Sequence, residues 1–148
     1  VVAGPGMPKG EKRDQQVYLQ DIMATTYQLA GIQKPAHVYF NSMLPMIKDR
    51  KTPTVYREIY GGYMNLQRMV RTDRYKLIVY PAAQKMLLFD LEKDPKEIHD
   101  VSDRAKYQKA LIDMKARLVR QQKELGDTLD LTRILEQDKK IRNPTRKR

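Results

Sequence analysis

Between Val55 and Phe89 the side chains alternate in twos, and each run of alternation stops at residues that favour turns. In "VYREIYGGY" Tyr56, Glu58 and Tyr60 fall on one face and Val55, Arg57 and Ile59 on the other, which is the period of a strand and not of a helix. Gly61 and Gly62 mark a bulge or a close approach of backbone. Gln67–Arg71 and Arg74–Tyr80 read as a hairpin around Thr72 and Asp73, side chains that bond their own backbone readily. Lys85–Phe89, "KMLLF", supplies a fourth strand. A stretch of this kind has to build an antiparallel sheet, and three or more strands with an apolar face need a helix or a second layer behind them. In the third run Arg74, Lys76, Ile78 and Tyr80 point one way and Tyr75, Leu77 and Val79 the other, so a basic outer face over an apolar inner face accounts for the alternation without a ligand.

The backing helix is legible downstream. Asp103 is placed to cap Arg104–Leu125, Gly126 ends it, and Tyr107, Leu111, Met114, Leu118 and Leu125 form one buried stripe. The segment after Asp130 reads as weakly ordered and solvated. Upstream, Val1–Ala3 reads as a strand end, "GPGMPKG" as a loop and Gln16–Gln20 as a short strand. Asp21 then caps a helix from Ile22 to Ala30 that stops at Gly31, with Ile22, Met23, Thr26, Leu29 and Ala30 on one face; a start near Gln15 also fits. Pro35, Pro45 and Pro53 break regular structure in the connection that follows, leaving one short turn near Leu44.

Charge and residue counts remove several kinds of chemistry. Lys and Arg number 29 against 18 Asp and Glu, and the resulting +11 attracts phosphates, sulfates or an anionic membrane face. Much of that excess lies between Arg133 and Arg148, a basic tail. There is no Cys, hence no disulfide, thiolate metal site or cysteine nucleophile in this chain. No apolar run is long enough to span a bilayer. The "GPGMPKG" loop lacks the spacing and the hydroxyl of a phosphate-binding loop. Asp90, Glu92, Asp94 and Glu97 begin like a calcium loop, but Pro95 stands where Gly is needed and Val101 where a bidentate Glu is needed. His37 and His99 are the only imidazoles and Ser42 and Ser102 the only serines, with no GxSxG turn to assemble them. The sheet lacks the Gly and Phe pattern of RNA-binding sheets, so nucleic acid is not an expected partner.

Taken in order, "GPGMPKG", "VYLQDIMATTYQLAG", "FNSMLPMI", "IYGGYMNLQRMVRTDRYKLIVYP" and "LFDLEKDPKEIHDVSD" followed by a helix resemble the C-terminal portion of a type I sulfatase. More narrowly the chain resembles the bacterial arylsulfatase A-like group related to heparan N-sulfatase and choline-sulfatase. The resemblance runs from Val1 to about Leu131, and "VRTDRYKLI" and "LFDLEKDPKEIHD" carry it most specifically. The chain departs from the group at Ala24, where Pro is usual, and at His99, where Asn is expected.

The resemblance implies an α/β enzyme built like alkaline phosphatase, of which this piece is α+β: a small four-stranded antiparallel sheet packed by a long C-terminal helix. In such enzymes a Cys of a C-x-P-S-R motif becomes formylglycine, Asp, Asn or His hold a calcium ion, and Lys and His neutralise the leaving sulfate. None of those motifs occurs here, so the chain itself is expected to carry no cofactor and no catalytic residue, and to depend on an N-terminal catalytic domain of the same protein. The expected layout is residues 1–31 as the end of the large domain, 32–54 as a connecting loop, 55–130 as the small C-terminal domain and 131–148 as the basic tail. By the same resemblance, the parent is periplasmic or extracellular, and its substrate is a sulfated small molecule or glycan. Such C-terminal domains close one wall of the substrate cleft, and the polar residues suited to that wall are His37, Asn41, Tyr63, Gln67 and Arg68; Arg68 or Arg71 would meet a sugar carboxylate or second sulfate through a planar fork. The competing reading is a free-standing basic module that binds polyanions through its charge.

Overall fold

The computed structural model describes residues 2–136, which divide into two compact units between Ile59 and Tyr60. The second unit holds nearly all of the sheet. Its strands are β1 (Ile59–Tyr63), β2 (Gln67–Arg71), β3 (Tyr75–Tyr80) and β4 (Lys85–Asp90), in the order β1-β2-β3-β4. β2, β3 and β4 pair antiparallel, with Val70 opposite Leu77 and Leu77 opposite Leu88, and with Arg68 opposite Val79 and Val79 opposite Met86. These residues face inward and are buried. The turn between β2 and β3 closes as its residue types suggest: the Thr72 amide donates to Tyr75 O (2.8 Å), and the Tyr75 amide to the Thr72 hydroxyl (3.0 Å).

The inner face is covered by a helix. In the first unit α1 is Asp21–Leu29 and α2 is Leu44–Lys48; in the second a 3-10 turn at Ala105–Tyr107 leads into α3, Gln108–Glu124, and α4 is Thr132–Leu135. Leu111, Met114 and Leu118 of α3 join Tyr60, Val70, Leu77, Val79, Met86, Leu88, Val101 and Tyr107 in one core. Each such side chain contributes about 1.5–3 kcal/mol relative to exposure. Gly126 adopts φ +66°, the left-handed conformation that ends a helix and favours glycine.

Several expectations are corrected. Leu125 is exposed rather than part of the stripe; Leu131 and Ile134 take up core positions instead, so residues 131–135 are not a solvated tail. Residues 137–148 lie outside the described residues. The sheet has apolar residues on both faces: the register sets Met69, Ile78 and Leu87 in one row of the outer face, where Ile78 and Phe89 are buried. Asp103 precedes the 3-10 turn and does not sit at the N-cap of α3, which is Tyr107.

In the first unit, Gln16–Gln20 is irregular and not a strand. Side chains tie it down in place of a ladder: Gln15 Nε2 donates to Arg50 O and Thr52 O (2.9 Å each), and the Thr54 hydroxyl to Gln16 O (2.7 Å). Val55–Glu58 is also outside β1, though the burial of Glu58 and Tyr60 keeps the alternation. Arg13 stands at the C-terminal end of α2, donating from Nε to Met46 O (2.8 Å) and from Nη2 to Ile47 O (2.9 Å), where a cation suits the helix dipole. The buried face of α1 is the opposite of the one expected: Asp21, Ala24 and Thr25 are inside, while Ile22, Met23 and Leu29 are exposed. Hydrogen bonding decides this. The Thr25 hydroxyl donates to Asp21 O (2.7 Å) and accepts from the Met43 amide (2.9 Å), so the polar face of α1 is fixed against the chain around Met43.

Candidate functional site

The β1–β2 turn, residues 64–66, presents a run of exposed side chains. Tyr63 is 61% exposed, and Met64, Asn65 and Leu66 are exposed beside it. The turn closes with the Leu66 amide on Tyr63 O (3.1 Å), and Met64 sits at φ +46°, uncommon for a residue with a side chain. Arg68 lies beneath it with its side chain 9% exposed. Its Nη1 donates to Met64 O (2.5 Å) and Gln67 O (2.8 Å), while Nε and Nη2 form a fork on Asp127 Oδ2 and Oδ1, the latter at 3.0 Å. The Tyr60 hydroxyl donates to Asp127 Oδ2 (2.6 Å), and the Leu129 amide to Oδ1 (3.0 Å). The hydrogen bond from Arg68 is the main force holding the Asp127 carboxyl well below the usual carboxylate range; burial drives the Tyr60 phenol upward, helped by its bond to that carboxylate. Gly62 crosses close by: a Cβ there would stand 3.1 Å from Arg68 Cδ and Nε.

This arrangement alters the part Arg68 can play. The fork expected to meet a substrate anion is engaged by Asp127 inside the chain, as a bidentate carboxylate pair. Tyr63 and Gln67 share the turn region with Arg68; His37 and Asn41 belong to the first unit. His37 is exposed in a turn closed by the Val38 amide on Pro35 O (3.0 Å). Asn41 is half-buried, its Nδ2 donating to the Tyr56 hydroxyl (3.2 Å). The fully buried Asp21 carboxylate accepts from the Tyr18 amide (2.8 Å), the Asn41 amide (3.1 Å) and the Tyr56 hydroxyl (2.5 Å). Burial and that bond push the Tyr56 phenol up to about 12. A closed network of this kind holds the Phe40–Asn41 segment to α1.

The acidic loop after β4 is likewise occupied with its own architecture. Asp100 accepts from the Leu88 and Ser102 amides (2.9 Å each), Asp94 from the His99 amide (2.7 Å), and Glu97 pairs with Lys76 (2.7 Å). Arg74 lies 3.2 Å from Glu92 and 3.5 Å from Asp90. The basic side chains of β3 and its turn are thus matched by acids of the loop, which argues against a bare cationic surface. No group of three or more His, Cys, Asp or Glu able to hold a metal ion occurs among the described residues. Nor is any helix among them long and apolar enough to cross a membrane.

Residues 1–124 match the profile of the family described as N-sulphoglucosamine sulphohydrolase, C-terminal. The chain belongs to that family. Among curated relatives, it is 32% identical over 128 residues to the Delta 4,5-hexuronate-2-O-sulfatase of Bacteroides thetaiotaomicron, covering 80% of this chain and 27% of that protein. It is 31% identical over 115 residues to Homo sapiens arylsulfatase K, covering 69% of this chain and 22% of that protein. A solved structure of a 2-O GAG sulfatase superposes with a TM-score of 0.70 at 25% identity, over 94% of this chain and 34% of that one. The chain therefore spans about a quarter of the length of these curated relatives. The antiparallel sheet with its covering helix is the C-terminal part of a sulfatase fold.

In this sulphohydrolase C-terminal domain the residues present do not fit the family's cofactors. The sequence holds neither a cysteine nor the C-x-P-S-R motif in which formylglycine forms, and in the acidic loop Asp94 and Asp100 accept from backbone amides while Glu92 and Glu97 face Arg74 and Lys76. The partners that sequence reasoning missed are Asp127 and Tyr60. Arg68 and Asp127 are separated by 59 residues, and no local spacing signals such a pair; the available hint is that Arg68 shares the inward face of its strand with Val70, and an arginine there needs an acid if buried.

Proposed function

We propose that this domain belongs to an enzyme that hydrolyses sulfate esters of a sulfated carbohydrate, and that its β1–β2 turn forms part of one wall of the substrate cleft. The observation that carries the reading is the exposed cluster of Tyr63, Asn65 and Leu66 on a turn that is tied down from beneath. A tyrosine ring offers a flat apolar face with a polar tip, and an amide offers both donors and acceptors. Together they suit a pyranose, whose ring presents C–H groups on its faces and hydroxyls at its rim. The relative named for a hexuronate 2-O-sulfate makes a sulfated acidic sugar the substrate class to examine first.

Formylglycine and calcium, where the parent enzyme has them, belong to the part outside this chain, and no step of the reaction is assigned to residues here. The remainder of the enzyme is also the occupant proposed for the apolar face of the first unit. Leu19, Ile22, Met23, Leu29 and Ile32 are exposed on and around α1, and the curated relatives extend to several times this chain's length. The test is sulfate release by the intact gene product from a panel of sulfated disaccharides. Hydrolysis of one or more, the 2-O-sulfated unsaturated uronate among them, is the expected result; no release from any of them contradicts the reading.

A further inference from the structure

We infer that Asp127 and Arg68 are positioning residues for substrate recognition: the carboxylate fixes the guanidinium, and the guanidinium fixes the turn that presents Tyr63, Asn65 and Gln67. This deepens the proposed function and rests on it.

The geometry runs from the end of α3 to the tip of the hairpin without a gap. Asp127 follows Gly126, and its own oxygens are oriented by the Tyr60 hydroxyl (2.6 Å) and the Leu129 amide (3.0 Å). It takes Arg68 through Nε and Nη2, which leaves Nη1 directed at the carbonyls of Met64, where the turn begins, and of Gln67, the residue that follows it. A guanidinium is planar, so fixing one edge fixes the direction of the other. Met64 is in a backbone conformation that non-glycine residues adopt at a cost, and such conformations persist where their surroundings over-determine them. Here the over-determination comes from Nη1 on the Met64 carbonyl and from Gly62, whose missing Cβ lets the strand pass over the Arg68 side chain. An ion pair that served only to anchor α3 would need no bonds to the turn; this one makes two.

Holding a loop in its bound conformation improves binding by reducing the ordering that the ligand must impose. Loss of the anchor should therefore raise KM and leave the chemical step nearly untouched. The experiment uses the intact enzyme with a 2-O-sulfated unsaturated uronate disaccharide, comparing wild type with Asp127→Asn and Arg68→Lys. Expected are a KM about fivefold to tenfold higher with kcat within about twofold, and faster amide exchange at Asn65 to Gln67 while the middle of α3 keeps its protection. Lysine keeps the charge but cannot bridge Asp127 and both turn carbonyls, so Arg68→Lys should resemble Asp127→Asn; either variant alone suffices if the other is not recovered folded. Unchanged KM and turn exchange would overturn the inference, as would a joint fall in kcat and α3 protection, which marks a merely structural pair. Tyr63→Ala separates the two levels. If Tyr63→Ala raises KM and Asp127→Asn does not, only the positioning role fails; if Tyr63→Ala changes nothing, the turn is not a substrate wall and both readings fail.

Discussion

Arg68 in β2 and Asp127 beyond the end of α3 form a two-pronged ion pair across 59 residues of sequence, with the Tyr60 hydroxyl on the same carboxylate. The pair joins the first half of the sheet to the end of its covering helix. Removing one charge leaves the other, largely shielded from water, without its partner, which weakens the tie between β2 and the turn.

That pair has a pH signature. The folded Asp127 carboxyl lies well below the ordinary carboxylate range, so its stabilisation is complete above the unfolded value of about 4 and fades as the pH falls toward the folded value. Wild-type protein should exceed Asp127→Asn in stability by a constant margin from pH 5 to 7, and the margin should shrink below pH 4. Native-state amide exchange at the β1–β2 turn and in β2, which the pair holds through Met64 O and Gln67 O, reads this. A margin that stays constant down to pH 2 contradicts it.

Tyr56 gives the alkaline counterpart. Burial, with its bond to Asp21, raises the phenol to about 12, so this contribution is intact below the ordinary tyrosine value near 10 and is lost as the pH climbs from there toward 12. In ultraviolet titration Tyr56 should ionise late, and Tyr56→Phe should remove one late phenol; loss of an early one counts against the Asp21 network.

Two glycines should respond differently to alanine. At Gly126 the φ of +66° strains any side chain although the space is open, at about 1–2 kcal/mol. At Gly62 the new methyl meets Arg68 at about van der Waals overlap, 3.1 Å, so overpacking costs about 1–3 kcal/mol and also disturbs the turn. Melting temperatures and exchange at residues 63–67 distinguish them: only Gly62→Ala should loosen the turn.

In the core, Leu118→Ala should cost about 2–5 kcal/mol, because Leu118 is fully buried between α3 and the sheet. Leu125→Ala, exposed about two turns beyond Leu118, the last buried residue of α3, should change stability by less than about 0.5 kcal/mol. Equal losses would mean that the stripe does extend to Leu125.

These contrasts show what the sequence could and could not disclose. The hairpin around Thr72, the fourth strand at Lys85–Phe89 and the stripe Leu111, Met114, Leu118 follow from local periodicity and turn chemistry, and all appear in the structure. The face of α1 did not follow. Its apolar residues form a tidy stripe, yet Asp21 and Thr25 are the ones buried, because partners at Met43, Asn41 and Tyr56 satisfy them and no local pattern encodes those partners. Leu131 and Ile134 were lost in a polar, basic context that hides a single helical turn packed into the core. At the site, side-chain type alone points to Tyr63 and Gln67, but the acid that occupies Arg68 lies too far along the chain for spacing to show it.

The most direct test of the account is the KM of the intact enzyme for a 2-O-sulfated unsaturated uronate disaccharide, wild type against Tyr63→Ala. Loss of a stacking surface worth about 1.4 kcal/mol predicts a KM about tenfold higher with kcat nearly unchanged. A KM equal to that of wild type would contradict the claim that this domain's hairpin tip faces the substrate.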